Sequence, residues 1–430
     1  MSKNFIKELE WRGMLQDSIP GCEDQLLENS CSGYIGFDPT ADSLHIGSLV
    51  QILILMHFQN CGHKPIVLVG GATGMIGDPS GKSNERNLLS QDDLDKNING
   101  IYKQLSKFLN FDSDKKNSAV LCNNNDWFKD INLVDFIRDT GKYITVNYMI
   151  AKESVKKRLS KDSTVGMSFT EFSYQLIQAY DFYHLFSEKN CLVQMGGSDQ
   201  WGNITSGVEL IRKKTGEKAY ALTCPLITKA DGTKFGKTEA GNVWLDRNKT
   251  SPYKFYQYWL NISDADAKKY IKIFTFYSEN EIEEYIKTHD EAPHQRFLQK
   301  TIANYLTKLV HCEEDLDKSI KASNILFGKS TSKDLSDLDE NTFLDIFEGV
   351  PSIIISFDEI RQPSNVQEFL YKAKFLSSKS EIIRALKQNS ISINKEKVDA
   401  SYSISKENLI CNKYILAQRG KKNYYLISFN

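Results

Sequence analysis

The stretch Tyr34-Ile-Gly-Phe-Asp-Pro-Thr-Ala-Asp-Ser-Leu-His-Ile-Gly-Ser-Leu-Val50 decides the fold. Tyr34 to Phe37 is short, apolar and aromatic, Asp38-Pro39-Thr40 is turn chemistry, and the apolar run through Met56 recurs at helical spacing. Strand, turn and helix in that order put the polar residues on a crossover. In an open α/β sheet a crossover turns backbone N–H groups and the positive helix end towards a crevice, which suits a phosphate. His45 and Gly47 fall in the first turn of the helix. There an imidazole can donate to a phosphate oxygen, and a residue without a Cβ lets a flat base approach closely. Ser48 adds a hydroxyl. A strand-loop-helix with a surface histidine is the plain alternative, so the rest of the chain has to decide.

The chain has 430 residues, 40% hydrophobic, with a formal net charge of −1. That is enough for two or three domains with a large core, and near-neutrality excludes a protein that coats polyanions over its whole surface. No apolar run approaches the roughly 20 residues that span a bilayer. Met1 to Gly13 is of mixed charge without a signal-peptide core, so the expectation is a cytoplasmic protein without a membrane segment. The eight cysteines, Cys22, Cys31, Cys61, Cys122, Cys191, Cys224, Cys312 and Cys411, form no Cys-x-x-Cys pair. They read as small core residues in a reducing compartment, and no bound metal is expected.

Working outward, Pro65-Ile-Val-Leu-Val-Gly-Gly-Ala-Thr-Gly-Met-Ile-Gly-Asp-Pro-Ser-Gly-Lys-Ser83 reads as a buried strand feeding a glycine-rich loop. A Walker A motif needs four residues between its glycines before Gly-Lys-Ser, and only three separate Gly77 from Gly81. What survives is a loop with one carboxylate, Asp78, and two cations for phosphate, Lys82 and Arg86. Residues 91–160 read as scaffold or subunit interface, with a short strand from Ala119 to Cys122.

In the helix from Phe169 to Asp181, Tyr174, Gln178 and Asp181 fall at i, i+4 and i+7, one stripe. Burying such groups without partners costs about 1–3 kcal/mol each, so the stripe faces either a polar ligand or solvent. Cys191-Leu-Val-Gln-Met-Gly-Gly-Ser-Asp-Gln-Trp-Gly-Asn203 repeats the crevice architecture, with Asp199 either capping a helix or accepting from a ribose hydroxyl. Lys229-Ala-Asp-Gly-Thr-Lys-Phe-Gly-Lys-Thr-Glu-Ala-Gly241 is a flexible cationic loop. Its lysines gain only about 0–1 kcal/mol from exposed ion pairs, but they suit a triphosphate.

Beyond Ser251-Pro252, residues 253–325 read as a separate all-α unit and the acidic stretch 326–364 as a linker with some structure. From Phe369 onward twelve Lys or Arg face four acids, an asymmetry that points to nucleic acid. The helix from Ser377 to Lys387 carries Lys379, Arg384 and Lys387 on one face. Ile391 to Val398 and Tyr414 to Phe429 read as strands. The turn Arg419-Gly-Lys-Lys-Asn423 presents Arg419, Lys421 and Lys422, fit for backbone phosphates.

Together these motifs resemble a bacterial-type tyrosyl-tRNA synthetase, over essentially the whole chain. His45-Ile-Gly-Ser48 corresponds to the His-x-Gly-His signature of class I synthetases, Lys234-Phe-Gly-Lys-Thr238 to their lysine loop, and Tyr34, Tyr174, Gln178 and Asp181 to the tyrosine pocket. Ser48 departs from the pattern, which most often has a second histidine; serine keeps a hydrogen bond but carries no charge.

The resemblance implies a Rossmann-like, doubly wound parallel α/β sheet over 1–230. It also implies the lysine loop and a helical domain over 231–325, a linker over 326–364, and a small α+β RNA-binding domain over 365–430. It implies a homodimer acting on L-tyrosine, ATP with Mg2+ and tRNA(Tyr), without other cofactors. Tyrosine's carboxylate would attack the α-phosphate and a terminal tRNA hydroxyl would take the tyrosyl group. Thr40, His45, Lys82, Arg86, Lys234, Lys237 and Thr238 would stabilise charge on the phosphates. Tyr34 and Asp181 would grip the phenol, and Asp78, Tyr174 and Gln178 the ammonium. Gln194 and Gln200 would orient the pocket and carboxylate. Gly36, Asp38, Gly197 and Asp199 would surround the adenosine, with Gly47 and Ser48 beside it. A tryptophan-specific relative, or an RNA-binding protein that has lost the chemistry, are the alternatives.

Overall fold

The computed structural model describes residues 3–78, 90–112, 114–152, 155–156, 159, 167–233, 235–238, 241–327, 335, 337–360, 362–420 and 423–430. It divides into two compact units, Met1–Asp246 with Ile262–Ile302, and Arg247–Asn261 with Ala303–Asn430.

The first unit is built on six strands: β1 (Asp17–Ser18), β2 (Ser32–Phe37), β3 (Lys64–Val69), β4 (Val120–Asn123), β5 (Cys191–Gly197) and β6 (Tyr220–Cys224). Their order is β1-β6-β5-β2-β3-β4, parallel throughout except for β1 at one edge. Helices cover both faces of a parallel sheet, so its strands are apolar along their length. In Lys64-Pro-Ile-Val-Leu-Val69 every residue after the lysine is buried. The chain runs from β2 outward through β3 to β4, then crosses to β5 and β6 on the other side. The order therefore reverses between β2 and β5, and ligands of such sheets bind outside the carboxyl ends of the strands at that point.

Three helices aim residues there. α1 (Ile46–Asn60) follows β2 and buries Ile52, Leu53, Ile54 and Leu55 in succession, so it is sheathed rather than amphipathic. α2 (Phe169–Lys189) opens on a capping box of Ser168 and Glu171 and stops at Asn190, whose φ of 50° is left-handed. α3 (Trp201–Thr215) follows the 3-10 turn Ser198–Gln200. Gly207 lets α3 close on α2, since a Cβ there would lie 2.9 Å from the Phe182 side chain.

The helices expected over 253–325 are present, and they fall in both units. Helices Asp264–Phe274 and Glu279–Glu291 belong to the first unit, whereas Pro252–Leu260 and Glu313–Phe327 belong to the second. Arg12 supplies the tie. Its buried guanidinium donates to the carbonyls of Lys272 and Thr275 at 2.7 Å and of Tyr277 at 2.8 Å, closing the C-terminal end of Asp264–Phe274, while its Nε donates to Glu8 at 2.8 Å.

In the second unit, β9 (Ser352–Ile355), β11 (Ile391–Ile393), β12 (Glu396–Lys397), β14 (Tyr414–Arg419) and β15 (Asn423–Phe429) form a sheet in the order β12-β11-β14-β15-β9. A short pair, β10 (Ser364–Asn365) with β13 (Ser403–Ile404), stands apart from it. The strand expected over 391–398 is a hairpin turned at Asn394 and Lys395, with φ of 49° and 72°. The stretch expected as a linker also differs: β9 pairs in parallel with β15, and Phe343, Ile346 and Phe347 share a core with Tyr253, Ile325, Tyr414 and Leu426. Its acids hid an apolar helix face. Among the described residues no helix is long and apolar enough to cross a membrane.

Candidate active site

The carboxyl ends of β2 and β5 frame a cavity of about 280 Å³. Most of the expected binding residues line it: Tyr34, Gly36 and Asp38 from β2 and its turn, Gln194, Gly197, Asp199 and Gln200 from β5 and the turn after it, Tyr174, Gln178 and Asp181 from α2, and Asp78. The α2 stripe thus faces the cavity, not solvent.

A continuous hydrogen-bonded chain runs round one wall. Asp181 accepts from Trp127 Nε1 at 2.9 Å through Oδ1 and from Asn124 Nδ2 at 3.1 Å through Oδ2. Asn124, fully buried, also donates to Thr73 Oγ1 at 3.0 Å and accepts the Ala72 N–H at 2.7 Å. The Thr73 hydroxyl donates to Asp38 Oδ1 and the Tyr174 hydroxyl to Asp38 Oδ2, both at 3.0 Å. Asp38, expected beside the adenosine, is therefore bonded to a residue expected to hold the ammonium. Thr73, Asn124 and Trp127 escaped the sequence reading. Asn123-Asn124-Asn125 looks like an ordinary turn, and Thr73 sits in what resembles a failed phosphate loop.

Burial pushes the Asp181 carboxyl up to about 8, with its bonds from Asn124 and Trp127 pulling back and the nearby Asp38 charge adding to the rise. The Tyr34 hydroxyl is raised well above its ordinary value by burial and by the Asp181 charge. Tyr34 Oη is buried with no hydrogen-bond partner among the described residues, and so are Gln194 Oε1 and Gln51 Oε1. Each costs about 1–3 kcal/mol if left bare. All three residues line the cavity, so the wall is built to be completed by a polar guest.

On the opposite wall Gln200 Nε2 donates to Asp78 Oδ2 at 2.7 Å, and Asn203 Nδ2 donates to Gln178 Oε1 at 3.0 Å and Gln200 Oε1 at 3.3 Å. Asp199 lies in the turn before α3, and burial followed by the Asp78 charge raises its carboxyl. Asp38, Asp78, Asp181 and Asp199 thus line the cavity, and no Lys or Arg does among the described residues. Such a cavity favours an ammonium group; a triphosphate needs cations brought from elsewhere.

His45 is the N-cap of α1 rather than part of its first turn, and its Nδ1 accepts the Gly47 N–H at 3.0 Å. A neutral imidazole accepting at Nδ1 carries its proton on Nε2, where it can donate. A Cβ at Gly47 would lie 2.8 Å from His45 Cε1, so in this structure the missing side chain makes room for the imidazole itself. Ser48 closes the turn, its N–H reaching the His45 carbonyl at 2.8 Å. Gln51 reaches the cavity six residues after His45, a rise of about 9 Å along the helix. Thr40 is exposed and does not line the cavity.

Residues 243–245 are stitched to this helix start: Ile46 N–H donates to the Val243 carbonyl and Leu245 N–H to the Leu44 carbonyl, both at 2.9 Å. The His45 and Trp244 rings meet edge-on at 6.1 Å. Upstream, β7 (Lys237–Thr238) pairs with β8 (Gly241–Asn242). Lys82, Arg86 and Lys234 lie outside the described residues, as do the side chains of Lys237 and Thr238.

Of the tail cations, Lys379 pairs with Glu368 at 3.1 Å and Arg419 with Glu381 at 2.8 Å, whereas Arg384 and Lys387 are exposed. Lys421 and Lys422 lie outside the described residues.

A parallel sheet with its cavity at the switch point, beside a helix that starts at His-x-Gly, is the arrangement of a class I synthetase. Residues 27–328 match the family of class I tRNA synthetases for W and Y. Residues 342–427 match the tyrosine–tRNA ligase SYY-like C-terminal domain. The tyrosine–tRNA ligase of Flavobacterium psychrophilum is 59% identical over 429 residues, covering 99% of both chains. That of Bacteroides fragilis is 58% identical over 426 residues, also covering 99% of both. The crystal structure of a C-terminally truncated Aspergillus nidulans mitochondrial tyrosyl-tRNA synthetase superposes with a TM-score of 0.66 at 30% identity, over 75% of this chain and 94% of that one. The chain belongs to the tyrosyl-tRNA synthetase family of class I, and the tryptophan-specific alternative is not favoured.

Proposed function

We infer that the cavity between β2 and β5 is where this chain activates tyrosine with ATP before passing it to tRNA. The chain is an ATP-dependent ligase of tyrosine to tRNA. The observation that carries the assignment of the cavity is the bare, buried Tyr34 hydroxyl on the same wall as Asp181. A phenol placed there satisfies the first and bonds the second.

The substrate's ammonium is held by Tyr174, Gln178 and the Asp78 carboxylate, and Asp38, gripped by the Tyr174 and Thr73 hydroxyls, adds to the attraction. Gln194 and Gln200 orient the pocket and the substrate carboxylate, which is ionised and needs no general base. It attacks the α-phosphate and pyrophosphate leaves. Catalysis is then positioning plus stabilisation of phosphate charge. His45 donates from Nε2, Ser48 and Thr40 add hydroxyls, and Gly36, Gly47, Gly197 and Asp199 border the adenosine. The carboxylate-rich cavity needs Lys82, Arg86, Lys234, Lys237 and Thr238 to meet the triphosphate. Magnesium arrives on the ATP, bound chiefly by its phosphates.

The chain works as a homodimer in the cytoplasm, where ATP and tRNA are both at hand. Leu133, Val134 and Ile137 on helix Leu133–Asp139 are 70%, 69% and 56% exposed, an apolar face that supports a partner subunit. The basic tail, residues 365–430, contacts tRNA(Tyr) through Arg384, Lys387 and their neighbours Lys379, Arg419, Lys421 and Lys422.

ATP–pyrophosphate exchange with each standard amino acid tests the reading. Tyrosine alone should support it. Phenylalanine should be rejected by about 10⁴- to 10⁵-fold, a ratio known for tyrosine-activating enzymes themselves and not read off this geometry. Exchange with tryptophan or phenylalanine at comparable rates would refute the pocket.

A further inference from the structure

We propose that one face of helix Asp264–Phe274 is the dock that sets the posture of the lysine loop, with Asp266, Tyr270 and Phe274 as positioning residues for phosphate activation. The three fall at i, i+4 and i+8, one stripe along the helix. Each of them meets the loop or its entrance. Asp266, 5% exposed, accepts the Ala230 N–H through Oδ1 at 2.8 Å. The Tyr270 hydroxyl donates to the Thr228 carbonyl at 3.1 Å. Phe235, which stands between the loop lysines in Lys234-Phe-Gly-Lys237, is 9% exposed and lies edge-on to the Tyr270 ring at 5.1 Å and stacked on Phe274 at 5.2 Å.

A glycine-rich cationic sequence has no reason to bury an aromatic ring unless the ring fixes where the loop sits. Its two aromatic contacts add attraction beyond the apolar area they bury. The dock itself is rigid. The Ser263 hydroxyl bonds Asp266 Oδ2 at 2.7 Å at one end, and Arg12 closes the carbonyls at the other. Immediately beyond Phe235, a Cβ on Gly236 would lie 3.2 Å from Ile46 and 3.5 Å from the Gly47 nitrogen, so the backbone next to the lysines runs against the start of α1. Phe235 in its seat therefore fixes the backbone at Gly236 against the start of the helix that His45 caps, one residue before Lys237.

This rests on the reading of Lys234 and Lys237 as phosphate-binding groups, and the test separates the two. Phe235→Ala, Phe235→Leu, Asp266→Asn and Lys234→Ala are made in the full-length enzyme. Each is assayed for kcat and for KM of ATP in pyrophosphate exchange, for tyrosine affinity by equilibrium dialysis, and for tryptic cleavage within 229–241.

A misplaced phosphate clamp should cost Phe235→Ala and Asp266→Asn about 10- to 100-fold in kcat, with tyrosine affinity within about twofold of wild type. Both variants should be cut faster in the loop, and Phe235→Leu should recover most of the loss. If Phe235→Ala and Asp266→Asn keep wild-type turnover and wild-type cleavage while Lys234→Ala is crippled, the dock is wrong and the phosphate reading stands. If Lys234→Ala is as active as wild type, the phosphate reading fails, and cleavage rates alone then decide whether the stripe holds the loop. A parallel fall in tyrosine affinity would mark general damage and would also overturn the proposal.

Discussion

At the scale of single residues, the cavity holds a carboxyl that resists ionisation. Asp181 is a buried carboxyl whose folded pKa, about 8, lies above the roughly 3.9 of an unfolded aspartate. Its folded form therefore holds the proton more tightly, and its contribution is fully present below about pH 4 and is lost progressively as the pH rises to about 8. Unfolding by urea at pH 5 and pH 8.5 should show wild type, relative to Asp181→Asn, losing up to a few kcal/mol of stability across that window. Asp181→Asn should lack this component of the slope whatever its own absolute stability. The buried His57 and His63, held down to about 3 and about 4, bias the acid side oppositely but equally in both proteins. Identical slopes would mean that Asp181 is ionised in the empty cavity. Gly47 teaches something different at this scale: glycine at that position is legible in the sequence as a place of close approach. Only the fold shows that the neighbouring imidazole is an approaching group.

At the scale of elements, the end of β4 does more than its sequence suggests. Asn124 joins the Ala72 backbone, the Thr73 hydroxyl and the Asp181 carboxylate through one side chain. Asn124→Ala leaves those groups without it, at about 1–3 kcal/mol for the buried polar groups stranded. It also removes one of the two bonds that favour the charged form of Asp181. The expected result is a lower urea midpoint together with about tenfold weaker tyrosine binding; tyrosine affinity equal to wild type would show that the chain of bonds does not reach the substrate. The strands and α1 were legible because apolar periodicity is a local property, and the α2 stripe was legible because helical spacing is too. Asn124 was not, because the groups that give it meaning lie 51 to 57 residues away along the chain. How the helices of 253–325 divide between the units was not legible for a related reason. Their periodicity shows that each buries a face, but not that Arg12, 260 residues distant from Lys272, would draw Asp264–Phe274 into the first unit.

At the scale of the whole molecule, the cavity and the tail proposed to meet tRNA fall to different parts of the chain. The cavity residues all lie in the first unit and the basic tail in the second. Sequence alone suggests cutting the chain near Ser364 to separate adenylate formation from tRNA charging. The core argues against that cut: Tyr414, Leu416 and Leu426 pack with Tyr253, Ile325 and Phe343, so removing them would bare an apolar face on the helices that remain. Exposed charges give a cleaner separation. Arg384 and Lys387 stand on the outer face of helix Lys379–Lys387, while Ile382, Ala385 and Leu386 fill the core beneath. Replacing both by glutamine should leave stability and tyrosine-dependent pyrophosphate exchange unchanged, because neither side chain is packed and the exchange involves no RNA. If they meet tRNA phosphates, KM for tRNA should rise, and the slope of log affinity against log salt should fall by about 1 for each contact removed. Lys379 and Arg419 already face Glu368 and Glu381, so replacing them should cost less. An unchanged salt slope in the double variant would move the RNA-binding surface off this helix while leaving the assignment of the cavity untouched.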